Sequence, residues 1–137
     1  MNTRLIFFHK QSTSGRTRFL RFPDGMFGFA PLPDGSRVRE SGEPPPAVLP
    51  HPAAPLREAA RRLGLPEDRL QLETEFEAWT EGPEGDVQVL LVALGTIDPP
   101  FAQAEAVGAR FIPLTEARDL PQVELDLLRL AYEHVLG

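Results

Sequence analysis

An α/β (α+β) fold, a mixed β-sheet sandwiched between helices, is what this sequence predicts. Three observations lead there. Short runs rich in aromatic and β-branched residues open the chain. A helix-periodic apolar stripe follows a proline-rich stretch. The element order is strands, helix, strands, helix, which suits a sheet with helices on its faces. The 137 residues fit one domain, 1–137, long enough to bury a core without disulfide staples.

Residues 4–10 (RLIFFHK) and 17–22 (TRFLRF) read as strands. Pro23-Asp24-Gly25 is a turn, because proline presets one backbone angle and glycine accepts a positive one. Residues 26–32 (MFGFAPL) read as a third strand, and Pro33-Asp34-Gly35 repeats the turn chemistry. Six of the 13 residues from 43 to 55 are proline, so this stretch is a semi-rigid loop leading into a helix. The helix is Ala53–Leu63. Pro55 suits its first turn, and Leu56, Ala59, Ala60 and Leu63 make one apolar stripe. Gly64 and Pro66 stop it.

Residues 70–81 (LQLETEFEAWTE) alternate strictly and predict a half-buried strand. Leu70, Leu72, Phe76 and Ala78 share one face of it, and Glu73, Glu75, Glu77 and Trp79 share the other. Residues 87–94 (VQVLLVAL) are almost continuously apolar and predict an inner strand. Residues 95–108 read as a loop, 110–114 (RFIPL) as a short strand and 121–136 as a closing helix. The two long helices are expected on opposite faces of the sheet.

Composition excludes several functions. There are no cysteines, hence no disulfide, thiolate zinc site or cysteine nucleophile. This fits a cytoplasmic protein. No apolar run is long enough to span a membrane, and residues 1–10 lack the pattern of a secretory signal. A net charge of −6 argues against nonspecific nucleic-acid binding but leaves room for a local basic pocket. His9, His51 and His134 have no metal-ligand spacing, and Ser12 and Ser14 have no neighbouring base.

The first helix carries Arg57-Glu58-Ala59-Ala60-Arg61-Arg62-Leu63-Gly64-Leu65. This string resembles the second half of the Nudix box, R-E-U-x-E-E-x-G-U with U aliphatic. Arg57, Glu58, Gly64 and Leu65 match, while Arg61 and Arg62 stand where the two glutamates belong. Leu49 occupies the place of an upstream glutamate, and Glu43 that of a glycine, with Gly42 one residue away. Three strands before the helix, paired strands after it, residues 110–114 and a closing helix extend the resemblance over nearly the whole chain.

The resemblance implies a Nudix-like domain and, in its intact form, magnesium-dependent cleavage of a diphosphate linked to a nucleoside or similar group. Magnesium takes oxygen ligands, and a guanidinium offers no acceptor and repels the ion. The expectation is therefore no metal site and no resident cofactor. Glu58 is the one surviving box acid, and it is spaced to pair with Arg61 and Arg62. Two readings of that face stand side by side. It is a solvated helix surface, or Arg57, Arg61 and Arg62 hold a nucleotide or other diphosphate ligand directly. An active, atypical hydrolase would need magnesium ligands from Glu73, Glu75, Glu77, Asp98 or Glu105. A purely structural homodimer is the third possibility. Dimerisation is expected in any case, because Phe7, Phe8, Phe19, Phe27 and Phe29 crowd the first strands.

Overall fold

A computed structural model describes residues 3–39 and 52–137. Among these residues the elements run β1 (Thr3–Lys10), β2 (Thr17–Arg21), β3 (Arg37–Val38), α1 (Ala53–Leu63), β4 (Leu70–Leu72), β5 (Ala78–Glu81), β6 (Val87–Leu94), α2 (Phe101–Ala106), β7 (Arg110–Ile112) and α3 (Gln122–Leu136). The fold is α+β. Its seven strands form one mixed sheet in the order β3-β5-β6-β1-β2-β7, with β4 also paired to β6. β1 and β6 are parallel neighbours, and the other pairings are antiparallel.

The strongly apolar sequences of β1 and β6 follow from their central position, since each is covered on both faces. Side chains alternate along β1. Ile6 and Phe8 enter a core with Leu127, Leu128 and Ala131 of α3. Leu5 and Phe7 enter a second core with Ala59, Ala60 and Leu63 of α1 and Ala104 of α2. The two long helices therefore lie on opposite faces, as expected. Leu56 is half-buried beside the three buried members of the α1 stripe. Gly64 ends α1 in the left-handed conformation at φ +68°.

Four segments depart from the sequence expectation. Residues 26–32 are not a strand. Pro23-Asp24-Gly25 does turn, closed by Phe22 and Gly25 bonding each other's backbone. The chain beyond it bends instead of pairing. The Met26 N–H donates to the Glu124 carboxylate at 2.8 Å, Gly28 N–H reaches Leu5 O, and Phe29 adopts φ +71°. The third strand before α1 is β3, after the expected turn at Pro33-Asp34-Gly35.

The second departure is residues 70–81, which are two strands and not one. Leu72 lies opposite Val92, and Ala78 opposite Val89. Residues 73–77 thus face only Leu90 and Leu91, a bulge with three extra residues. An odd insertion switches which face the side chains meet. Leu70 and Leu72 join the α1 core, whereas Phe76 and Ala78 join the α3 core. Third, the expected loop at 95–108 contains α2, which starts after Pro100. Fourth, Pro113 ends β7 and a short 3-10 turn, Leu114–Glu116, follows. The proline-rich loop is described only from residue 52; Gly42, Glu43, Leu49 and His51 lie outside the described residues.

The aromatic crowding has an internal outlet. Phe7, Phe8, Phe19 and Phe27 are buried, and Phe29 is half-buried against the α1 core. Among the described residues, the large apolar side chains that are exposed are Ile97, Phe101, Leu130 and Leu136.

Candidate functional site

The outer face of α1 gathers the charged residues that the sequence singles out. Residues three and four apart share a helix face, so Glu58 meets both Arg61 and Arg62. Arg61 Nε donates to Glu58 Oε2 at 3.1 Å, and Arg61 Nη2 donates to Oε1. Arg62 Nε donates to the same Oε1 at 2.9 Å. Hydrogen bonds from Arg61 and Arg62 hold the Glu58 carboxyl down at about 2, so it is a carboxylate at any working pH. Arg57 stands apart, its Nε 3.6 Å from Glu67.

A divalent cation does not fit this face. Both oxygens of Glu58 already accept from guanidinium groups, and Arg57, Arg61 and Arg62 on the same helix carry only donors. Among the described residues no three His, Asp or Glu side chains gather as a metal cluster. The face has the donor set for an anion.

Two concavities flank Arg62. One is a shallow groove of about 290 Å³ between α1 and α2, lined by Arg61, Arg62, Leu63, Gly64, Ala102, Gln103 and Ala106. The other is a partly enclosed slot of about 140 Å³, with Leu5, Phe29, Ala30, Pro55 and Ala59 as apolar walls and Glu58 and Arg62 at the rim. The Arg62 guanidinium lies over the Phe29 ring, 5.0 Å from its centroid. That stacking fixes a cation between groove and slot.

The slot is the part that sequence reading misses. Its wall is the 28–30 segment, read from sequence as strand. Gly28 within that segment and Pro31 just after it were the available signal. A glycine within a strand pattern marks close backbone approach, and proline disfavours an inner strand. The close approach is real: a Cβ on Gly28 would fall 2.7 Å from the Phe7 ring.

The other candidates disperse. Glu73 sits 3.5 Å from His134 of α3, on the layer opposite α1, and Glu75 and Glu77 are exposed on the bulge. Asp98 accepts a hydrogen bond from Gln11 at 3.0 Å. Glu105 is exposed on α2. His9 is buried and donates through Nε2 to the Thr96 carbonyl at 2.8 Å. Ser12 and Ser14 are exposed, and Ser14 Oγ accepts from the Arg16 amide. Trp79 is half-buried on β5. No helix of the described residues is long and apolar enough to cross a membrane. No protein-family model matches this chain, and no curated protein matches it in sequence.

Proposed function

We propose that this chain is a Nudix-like domain in which an arginine face has replaced the magnesium site, and that it binds the phosphate or diphosphate group of a nucleotide or related ligand without hydrolysing it. The observation that carries the reading is the capture of both Glu58 oxygens by Arg61 and Arg62, the residues standing where the box has its glutamates. Arginine binds phosphate through a planar fork of N–H donors, so it can take the anion directly where a metal would bridge to it. The groove beside Arg61 and Arg62 adds the Gln103 side chain. The strands before and after α1 supply the order that the Nudix resemblance calls for.

The rival reading, an active hydrolase with ligands from elsewhere, finds little support. Glu73 faces α3, and Asp98 is bonded to Gln11. A cytoplasmic setting accords with the cysteine-free sequence. A homodimer accords with Phe101, which is 56% exposed and packs edge-on against the half-buried Phe111.

The test is turnover. With ADP-ribose or a nucleoside triphosphate and millimolar magnesium or manganese, the protein is expected to release no product above a protein-free control. Robust metal-dependent hydrolysis abolished by substitutions at Glu73, Glu75, Glu77 or Glu105 would establish the rival.

A further inference from the structure

We infer that the slot between α1 and residues 28–30 takes the ring of a single-ring aryl phosphate, whose phosphate is held by Arg62. The inference deepens the proposed function and rests on its premise that the α1 arginines bind anions.

Size sets the ring. The slot encloses about 140 Å³. An apolar cavity of roughly 150 Å³ is enough for benzene, so one six-membered ring fills the slot. The second ring of a fused bicycle would lie outside the slot's open side. The walls are built to stay in place. Leu5 belongs to central β1 and is buried, Ala59 is buried on α1, and Gly28 N–H is bonded to Leu5 O at 3.2 Å.

Chemistry sets the ring's character. The lining from Leu5, Phe29, Ala30, Pro55 and Ala59 is apolar. The Phe29 ring packs edge-on to Phe22 at 5.1 Å. Phe29 itself holds φ +71°, a left-handed conformation that costs a bulky L-residue about 1–2 kcal/mol. Such strain concentrates at ligand sites, and here it turns the ring into the slot wall beneath Arg62.

Charge sets the substituent. Arg62 gives Nε to Glu58, and among the described residues no hydrogen bond engages its two terminal nitrogens. A phosphate at the rim meets that fork while its ring lies on the apolar side. Glu58 lines the same slot and competes with the phosphate for Arg62, but it engages Nε and leaves the terminal fork to the anion.

The experiment is a titration of the full chain, followed by NMR or calorimetry, with inorganic phosphate, phenyl phosphate and 1-naphthyl phosphate. Phenyl phosphate should bind about tenfold tighter than inorganic phosphate, from burial of the ring. It should also shift the Leu5 methyl and Phe29 ring signals. Naphthyl phosphate should gain nothing over phenyl phosphate. Arg62→Ala should weaken both phosphate and phenyl phosphate. Ala30→Leu, which fills the slot from a half-buried wall position, should erase the phenyl advantage over inorganic phosphate. If the three probes bind equally and depend on Arg62, the slot inference is overturned and the anion site stands. Phenyl phosphate that binds in an Arg62-independent way overturns the anion premise and this inference with it, as does failure of all three to bind.

Discussion

At the scale of single residues, Glu58 and Glu124 are two carboxylates with opposite environments. Glu58 is solvent-facing and is held ionised by two guanidinium groups. Glu124 lies in the first turn of α3, is 7% exposed, and accepts the Met26 N–H in the bend that replaces the expected strand. Burial pushes its pKa up, and the Met26 N–H and Arg21 only partly oppose that. A carboxyl whose folded pKa is raised adds stability that is full below the unfolded pKa of about 4.3 and is lost as pH rises through the folded value. Glu124→Gln keeps an acceptor for Met26 and removes the charge. The variant should therefore gain stability relative to the parent as pH goes from about 4.5 to 7 in denaturant titrations. Glu124→Ala should lose about 1–3 kcal/mol at pH 7, because a buried N–H is left unpaired. A Gln variant as destabilised as the Ala variant at both pH values would show that Glu124 is needed as an anion.

Among the elements, the bulge between β4 and β5 decides which core the apolar residues after it enter: Leu70 and Leu72 face α1, and Phe76 and Ala78 face α3. A straight strand over 70–81 would put Glu73, Glu75 and Glu77 on one face, spaced as possible metal ligands. Glu73 follows Leu72 onto the α3 face by simple alternation and meets His134, while Glu75 and Glu77 in the insertion are exposed. Hydrogen exchange reads this directly. Amides of β5, paired on both sides to β3 and β6, should be protected. Those of Thr74, Glu75 and Glu77 should exchange faster by orders of magnitude. Continuous protection from 70 to 81 would restore the single strand. The alternation of 70–81 was legible in the sequence, but the insertion was not. A period of two is unchanged by an odd bulge, and only the partner strand reveals the offset. α1 was legible to the residue because proline, an apolar stripe and glycine all agree there. α2 was hidden because six residues cannot show a helical period, and Pro99-Pro100 dominated the reading. The charged half of the candidate site, Glu58 with Arg61 and Arg62, was visible because it lies within one helix. The slot was not, because Leu5, Phe29 and Arg62 meet only through tertiary packing.

For the molecule as a whole, one sheet separates two apolar cores, and the first strands feed aromatic rings into both. Aromatic excess in the leading strands therefore no longer argues for a dimer. Phe101 and Phe111 offer a surface instead, since an exposed ring edge-on to another at 5.6 Å makes an apolar patch at the β7 edge of the sheet. If this patch joins two copies, light scattering at micromolar concentration should give twice the chain mass, and Phe101→Asp should return it to the chain mass without unfolding. A monomer mass for the unmodified protein across that range removes the dimer.

The central claim is that fixed guanidinium groups on α1 have taken over from a divalent cation. Glu58 competes with any anion for those groups, so removing its charge should release them. The most direct measurement is calorimetry of pyrophosphate binding to the parent protein and to Glu58→Gln, with and without magnesium, at low and moderate salt. The account predicts binding without magnesium, about three- to tenfold tighter in Glu58→Gln, weaker at higher salt, and lost in Arg61→Ala with Arg62→Ala. Binding that requires magnesium and is lost in Glu58→Gln would contradict it, because Glu58 would then be a metal ligand.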